Sequence, residues 1–309
     1  MHSFLLIGHL PTAFELLTRV PEDYFIWLLM RDKGGIKRSL GKEIVLRYSN
    51  GESKRIVVDG VSFSPYELAG EFFDVILLNV MAYEIKEWVR LLLESDLESK
   101  YLIVISNALG IEKFFTKELA QKYSLLRCIT DSLVVWGDSE INILREGDWY
   151  IGELFRYSCD KKLLKETENY LSVQLITDYN EYLTYVWKQA IAIAALYYPA
   201  AILNCEINFL VENIESRKLV EHIVREGINV ARSFGVNLGR IFGEIIRYAL
   251  NLKGFFSPIK ELWKRGLRSE VDFYNGAIYE LGAVKGIFAP VNMIIRGIVK
   301  SLEALRKLI

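Results

Sequence analysis

The chain has 309 residues, which is long for one domain and comfortable for two at roughly 100–200 residues each. Apolar residues make up 51% and charged residues 25%, a composition typical of a soluble globular protein with a large core. The formal net charge of −1 offers no electrostatic basis for binding nucleic acid or an anionic membrane. We therefore expect neither as a partner.

The three cysteines are widely spaced and lack a CxxC pattern, which indicates a reducing compartment and no zinc site. The opening residues have no basic segment and no small-residue cleavage site, so they do not resemble a signal peptide. The longest apolar run, residues 190–203, is shorter than the roughly 20 residues of a bilayer span, and Pro199 interrupts it. These features predict a cytoplasmic protein without a membrane segment or a metal site.

Basic residues gather between positions 253 and 268. They are Lys253, Lys260, Lys264, Arg265 and Arg268. Such runs usually face water, so we interpret this group as a solvated helix surface.

Strands and helices alternate in the first half of the chain. Apolar runs predict strands over residues 3–7, 24–30, 44–48, 55–58, 74–80, 101–105 and 125–130, and a last one before Leu154. Helices are predicted over residues 12–19 and 84–93 and from Ile111. Ser49-Asn50-Gly51 indicates a hairpin between the third and fourth strands. This alternation predicts an α/β, Rossmann-like domain with a mostly parallel, doubly wound sheet.

After Asp178 only helical periods remain, over residues 186–203, 216–234, 237–252 and 271–308. We place the boundary near Thr177, so that residues 1–177 form a dinucleotide-binding domain and residues 178–309 an all-α domain for substrate binding and dimerisation. A cleft between two such domains is the usual ligand site. The long helix predicted from Val271 would pack either within its domain or across a homodimer.

The first βα turn is where a Rossmann domain binds pyrophosphate, normally through G-x-G-x-x-G/A. Here Gly8 permits the tight turn and Ala13 is an accepted small residue, but Leu10 replaces the second glycine and would crowd the phosphates. His9 is placed to bond a phosphate or simply to face water. A single glycine also fits an ordinary βα turn.

The residue after the second predicted strand is Arg31, where NAD-binding domains carry Asp or Glu. A guanidinium suits a ribose 2′-phosphate, so Arg31 favours NADP(H) over NAD(H) as the cofactor. The alternative is an exposed arginine on a loop.

The C-terminal third contains a series of short motifs: Ser257, Ser269-Glu270-Val271-Asp272, Asn275-Gly276 and Ala289-Pro290-Val291-Asn292. This series resembles the signature of the ketopantoate reductase family, in which Ser-Met-Leu-Gln-Asp precedes Thr-Glu-Ile-Asp-x-x-Asn-Gly and a Pro-x-Asn follows. The spacing here has one extra residue between Ser257 and the Ser269 element. Weaker matches at residues 74–83, 106–110, 151–154 and 187–205 extend the resemblance over nearly the whole chain.

The resemblance implies a Rossmann-like domain followed by a helical domain like the C-terminal domain of 6-phosphogluconate dehydrogenase. It also implies NADPH-dependent reduction of 2-dehydropantoate to pantoate, on the route to pantothenate and coenzyme A. Glu270 and Ser257 would then hold the 2-oxo acid, with Glu270 in the catalytic group. Asn107 would lie near the nicotinamide end of the cofactor.

Several family positions carry other residues. Hydride transfer to a ketone leaves an alkoxide that needs a proton donor or cation, and the family uses a lysine for this. Gapless alignment places Gln189 there, whose amide gives up no proton at neutral pH, while the adjacent Lys188 is rotated by about 100° around the helix. Two family asparagines fall on Ile193 and Tyr197, and Met81 replaces a lysine after the central strand.

Three functions therefore stay open. A divergent NADPH-dependent reductase of the family would use Glu270 and Ser257, with Lys188 or Tyr197 as the acid. A catalytically inactive homologue would bind a nucleotide, a metabolite or a partner protein in the old cleft. A reductase of another 2-oxo acid would have apolar side chains, such as Ile193, in its pocket.

Overall fold

The computed structural model describes residues 2–8, 10–20, 24–30, 43–137 and 140–306. It divides into two compact units. Met1–Ser106 and Ile111–Tyr182 form the N-terminal unit, and Asn107–Gly110 and Leu183–Ile309 form the C-terminal unit. The predicted α/β domain followed by a helical domain is confirmed, whereas the boundary at Thr177 stays a prediction.

Twelve strands are found among the described residues, all before Tyr179. They are β1 (Ser3–Gly8), β2 (Phe25–Leu29), β3 (Glu43–Tyr48), β4 (Ser53–Val57), β5 (Gly60–Ser62), β6 (Phe72–Asn79), β7 (Glu98–Ile105), β8 (Ser124–Thr130), β9 (Leu133–Trp136), β10 (Ile141–Arg145), β11 (Trp149–Glu153) and β12 (Gln174–Leu175). The strands β1, β6, β7 and β8 are almost wholly buried, as their continuous apolar runs require.

Eleven α-helices are found in the same described part of the chain, together with short 3-10 turns. They are α1 (Pro11–Leu17), α2 (Ile85–Glu94), α3 (Lys117–Lys122), α4 (Lys161–Glu166), α5 (Tyr179–Leu203), α6 (Phe209–Glu212), α7 (Ile214–Ser233), α8 (Ile241–Asn251), α9 (Pro258–Lys264), α10 (Asn275–Val284) and α11 (Pro290–Arg306). The helices from α5 onward build the C-terminal unit around a buried apolar core.

The main sheet of the N-terminal unit has the strand order β12-β11-β8-β7-β6-β1-β2-β5. Six of its strands run parallel: β1, β2, β5, β6, β7 and β8. The strand β11 is antiparallel to β8, and β12 is parallel to β11. Numbered along the chain, the six parallel strands have the 3-2-1-4-5-6 order of a dinucleotide-binding sheet. The predicted doubly wound, Rossmann-like sheet is therefore confirmed.

A second sheet, with the order β4-β3-β10-β9, packs in the same unit. The predicted hairpin of β3 and β4 is present, with Ile44 opposite Ile56. The parallel pairing of β10 with β3, which places Ile141 opposite Leu46, has no counterpart in the sequence-based prediction. The turn residues of a hairpin predict its pairing, whereas a pairing between distant segments depends on shared core packing.

The prediction of one long helix from Val271 is wrong. The segment contains a 3-10 turn at Val271–Phe273, then α10, then α11. Tyr274 has φ −121° and ψ −94°, and Gly286 has φ +69°, so neither residue continues a helix. Pro290 then occupies the first position of α11. Apolar residues such as Val284 and Phe288 are exposed here, and the homodimer stays a prediction.

Among the described residues, α5 is the one helix with the length and apolar composition of a membrane-crossing segment. Within the fold 67% of its most apolar window is buried, as in the core helix of a soluble protein. Pro199 lies inside the helix and does not end it. The helix ends instead before Asn204, which has φ +54°.

Candidate active site

The turn after β1 is built around Gly8, whose φ is +114°. A Cβ at this position would lie 2.1 Å from the carbonyl oxygen of Asn79, at the end of the neighbouring strand β6. No side chain fits in that space, and positive φ is strained for any residue but glycine. Gly8 is therefore required by the approach of β6, whether or not a phosphate binds.

Asn79 ties the carboxyl ends of the parallel strands to α1. Its side chain is 3% exposed, its Nδ2 donates to the oxygen of Ile105 at 3.2 Å, and its Oδ1 accepts from the nitrogen of Ala13 at 3.2 Å. Sequence reasoning did not single out Asn79. The available signal was a polar residue at the end of a buried apolar strand, because such a group has to be hydrogen-bonded.

Leu10 is the residue before α1, with φ −70° and ψ 140°, and its side chain does not cap the helix. The first helical residue is Pro11, which has no N–H, and the N–H of Ala13 is already donated to Asn79. The first turn of α1 therefore has fewer free N–H groups to donate to an anion than an ordinary helix N-terminus has.

Two residues predicted to contact the dinucleotide, His9 and Arg31, lie outside the described residues. A third, Met81, follows β6 and is 2% exposed. Its backbone nitrogen donates to Oε2 of Glu84 at 3.3 Å, and its thioether supplies neither charge nor a transferable proton. The family's lysine chemistry is accordingly missing at this position.

The segment after β7 leaves the sheet and packs in the C-terminal unit. The nitrogen of Leu109 donates to the oxygen of Phe273 at 2.9 Å, and Gly110 has φ +72°. Asn107, predicted to lie near the nicotinamide, is half-buried at the start of this segment. The structure therefore groups Asn107 with the segment that carries Glu270.

Three predicted site residues, Gln189, Ile193 and Tyr197, follow one another at intervals of four along α5 and so share one face. Gln189 and Ile193 are half-buried, and Tyr197 is buried. The Tyr197 hydroxyl lies 2.8 Å from the hydroxyl of Tyr248 on α8. These residues form a mixed polar and apolar strip.

Lys188, the alternative acid, is occupied elsewhere. Its Nζ lies 3.2 Å from Oε2 of Glu244 on α8, and both side chains are partly exposed. This pairing agrees with the rotation of about 100° that separates consecutive helical residues. A proton-donating role would require this ion pair to open.

Glu270 is half-buried and precedes the 3-10 turn, where its carbonyl oxygen accepts from the nitrogen of Phe273 at 2.8 Å. Close to it, burial raises the pKa of the Tyr198 phenol well above its usual value. The neighbouring Tyr274 and the Glu270 charge add to that rise. Tyr198 consequently stays protonated and available as a hydrogen-bond donor.

Three buried polar atoms beside Glu270 lack a hydrogen-bond partner among the described residues. They are the hydroxyls of Tyr198 and Ser269 and Oδ1 of Asn275. An unsatisfied buried polar group costs about 1–3 kcal/mol, and native proteins keep few of them. Of these groups, Tyr198 lies close enough to Glu270 to be affected by its charge, and Ser269 precedes Glu270 in the chain.

Ser257, predicted to bind substrate, is 1% exposed and serves as the N-cap of α9. Its Oγ accepts a hydrogen bond from the nitrogen of Ile259 at 3.2 Å. Serine is a preferred N-cap because its oxygen satisfies one of the free N–H groups of the first turn. Any contact with substrate would be in addition to this role.

The Asn-Gly and Pro-x-Asn elements of the signature hold helices together. Nδ2 of Asn275 donates to Oδ1 of Asn292 at 2.9 Å and to the oxygen of Ala194 at 3.2 Å. Nδ2 of Asn292 donates to Oε2 of Glu226 at 2.7 Å. This buried network connects α5, α7, α10 and α11, which explains these motif positions without a ligand.

Comparison with known proteins is consistent with these features. Residues 181–303 match the family model described as the C-terminal domain of ketopantoate reductase PanE/ApbA. The 2-dehydropantoate 2-reductase of Pyrococcus abyssi is 25% identical over 179 residues, covering 57% of this chain and 59% of that protein. The Pyrococcus horikoshii enzyme of the same name is 27% identical over 121 residues, covering 38% and 40%. The chain thus matches less than two thirds of the length of these relatives.

Solved structures match over almost the full length. The PanE/ApbA family ketopantoate reductase from Ralstonia eutropha has a TM-score of 0.78 at 19% identity, covering 99% of both chains. D-mandelate dehydrogenase with NADH and anilino(oxo)acetate has a TM-score of 0.80 at 16% identity, also covering 99% of both. The 2-dehydropantoate 2-reductase from Geobacter metallireducens has a TM-score of 0.78 at 18% identity, covering 97% and 99%. At these identities the likeness concerns the fold.

Proposed function

We propose that this chain, whose residues 181–303 match the C-terminal domain of the ketopantoate reductase family, is a divergent NADP(H)-dependent reductase of a 2-oxo acid. 2-Dehydropantoate, named for the Pyrococcus relatives, is the first candidate substrate. The observation that carries the proposal is the half-buried Glu270 beside the buried Tyr198 phenol, whose hydroxyl has no hydrogen-bond partner among the described residues. Such unsatisfied polar groups cost stability and are typical of functional sites.

The N-terminal unit supports the cofactor part of the proposal. The strand order reverses between β1 and β6, and open α/β sheets bind ligands outside the carboxyl ends of their strands at such a point. Gly8 ends β1 and Asn79 ends β6, so both lie at this edge. NADP(H) bound there would supply the hydride.

The C-terminal unit supports the substrate part. A carboxylate accepts hydrogen bonds, so Glu270 suits a hydroxyl of the substrate rather than its carboxylate. The Tyr198 phenol, kept protonated by burial, and the Ser269 hydroxyl supply donors nearby. Gln189 would donate a hydrogen bond to the reacting oxygen, but the proton that the alkoxide needs has to come from solvent or another group. Turnover is therefore expected to be slow.

Cofactor binding is tested first, by calorimetry with NADPH and with NADH as its control. We expect NADPH to bind more tightly, and Leu10→Gly to strengthen binding several-fold because the fingerprint's second position needs no Cβ. Leu10→Val, which keeps the Cβ, should leave the affinity near that of the wild type. If neither dinucleotide binds the wild type or Leu10→Gly, the N-terminal unit is a scaffold and the reductase proposal fails.

The missing acid is tested by Gln189→Lys. A positioned general acid contributes roughly 100-fold or more to rate, so NADPH oxidation with 2-dehydropantoate should rise by about that factor at neutral pH. Gln189→Met, of similar length but without a proton to give, is the matched control. Equal rates for the two variants would mean that residue 189 does not lie at the reacting oxygen.

A reductase of another 2-oxo acid is the second candidate. Ile193 lies on the same α5 face as Gln189 and is half-buried, where the family has an asparagine. An apolar side chain there favours a substrate with an apolar group next to the ketone. Comparing NADPH oxidation with an aromatic and with a hydroxylated 2-oxo acid separates the two candidates.

A further inference from the structure

The chain passes between the two units three times: after Ser106, after Gly110 and after Tyr182. The first two passages enclose a short segment that begins with Asn107, which is half-buried. The third passage lies near the start of α5, the helix that carries Gln189 about two turns further along. Residues proposed to act on the cofactor and on the substrate therefore come shortly after these passages.

Arg127, on β8, is hydrogen-bonded beside all three passages, and each of these bonds lies within the N-terminal unit. Its side chain is 1% exposed, and its Nε donates to the carbonyl oxygen of Ser106 at 2.8 Å. Its Nη1 donates to Oε1 of Glu112 at 2.8 Å. The carbonyl oxygen of Arg127 accepts from the Tyr182 hydroxyl at 2.6 Å. One residue of the main sheet thus holds the chain before the first passage, after the second and at the third.

The contact between Tyr182 and Arg127 depends on a missing side chain in the neighbouring strand. Gly152 on β11 lies opposite Arg127, and a Cβ at residue 152 would be 2.5 Å from the Tyr182 ring. Burial raises the pKa of the Tyr182 phenol well above its usual value, so the hydroxyl keeps the proton that it donates. Gly152 therefore leaves the space that the Tyr182 ring occupies when its hydroxyl bonds to β8.

The packing of the core does not by itself call for an arginine at position 127. Burying a charge costs free energy unless the charge is paired, and an apolar side chain of similar volume often stabilises a protein as well or better. Arginine adds a planar group whose N–H donors point in fixed directions. Here those donors reach Ser106 and Glu112, which lie on either side of the segment that begins with Asn107.

We infer that Arg127 is a positioning residue for the proposed hydride transfer, and that it acts by fixing the segment from Asn107 to Gly110. The inference rests on the proposed reductase function, in which Asn107 lies near the nicotinamide. A displacement of about 1 Å caused by a change far from the reacting atoms lowers a rate by as much as roughly 100-fold. Loosening this segment should therefore slow the reaction more than it weakens binding of the substrate.

The test compares Arg127→Met and Glu112→Ala in the full chain, by steady-state NADPH oxidation with 2-dehydropantoate. We expect kcat to fall about tenfold or more in both, while KM for the 2-oxo acid changes less than about twofold. Glu112→Gln, whose amide oxygen still accepts from Arg127, should keep kcat within about twofold of the wild type. The amide of Leu109, which donates to Phe273, should exchange faster in the first two variants than in Glu112→Gln.

Arg145→Met is the matched control, because Arg145 has a similar set of bonds in the same unit. Its Nη1 donates to the carbonyl oxygen and to Oδ2 of Asp131, both at 2.9 Å. These bonds hold no residue next to a passage between the units. Arg145→Met should therefore lower the free energy of unfolding without lowering kcat.

An unchanged kcat in Arg127→Met and Glu112→Ala, measured on folded protein, would overturn the inference, and so would an equal fall in Arg145→Met. If Arg127→Met does not fold, Glu112→Ala decides alone, since the Glu112 side chain is 29% exposed. A wild-type protein that neither binds NADPH nor oxidises it with any 2-oxo acid would contradict the proposed function itself, and this inference with it. The wild-type assay alone identifies that case.

Discussion

Replacing Gly8 with alanine will lower the free energy of unfolding of the N-terminal unit by about 3 kcal/mol or more. The new Cβ would lie 2.1 Å from the carbonyl oxygen of Asn79 and 2.8 Å from the Val80 side chain. Backbone atoms of two central strands cannot move apart without breaking their ladder. The φ of +114° adds strain that alanine, unlike glycine, does not tolerate.

Gly51→Ala is the matched control for this change. Gly51 also has positive φ, +91°, but no atom lies within 4 Å of its Cβ position in the hairpin turn. Gly51→Ala should lower the free energy of unfolding by only about 1 kcal/mol, the strain of alanine at positive φ. Urea unfolding followed by circular dichroism measures both variants. Equal losses for the two would show that the approach of β6 is not what requires glycine at position 8.

Replacing Glu226 with alanine will lower the free energy of unfolding of the C-terminal unit by about 2–4 kcal/mol. Oε1 of Glu226 accepts from the nitrogen of Val291 at 3.0 Å. Oε2 accepts from the nitrogen of Asn292 at 3.0 Å and from its Nδ2 at 2.7 Å. The carboxylate thus accepts hydrogen bonds from two N–H groups in the first turn of α11 and from the buried side chain of Asn292. It also lies at the positive end of that helix.

Glu221→Ala, on the same helix α7, is the control for Glu226. Its carboxylate pairs with Arg225 four residues on, and both side chains are largely exposed, so the loss should be about 0.2–0.5 kcal/mol. Hydrogen exchange adds a local readout, because the first-turn amides of α11 should lose protection only in Glu226→Ala. Unchanged protection of those amides would rule out the capping role.

These two predictions bear on how the motif residues are interpreted. Gly8 is needed by the packing of β1 against β6, so its presence is not evidence for a bound dinucleotide. Asn275 and Asn292 are needed by a network between helices, so they report on the fold rather than on the reaction. The residues proposed to take part in the chemistry are Glu270 and Gln189, together with the buried hydroxyls of Tyr198 and Ser269.

Sequence alone determined the parts of this protein that depend on local pattern. The buried runs of β1, β6, β7 and β8 are predicted by continuous apolar stretches, and the hairpin of β3 and β4 by its turn residues. The change to helical periods after Asp178 predicts an α/β domain before it and an all-α domain after it. The resemblance to a family singled out Glu270, whose role in the reaction stays a prediction.

Tertiary structure decided everything that depends on partners far apart in the chain. It pairs β10 with β3, sets Lys188 against Glu244, and brings Arg306 to the lysines of α9. A helix or strand period states which face of an element is apolar, but not which distant element will cover that face. Ser257 shows the same limit, because only the folded chain reveals that its hydroxyl caps a helix in a buried position.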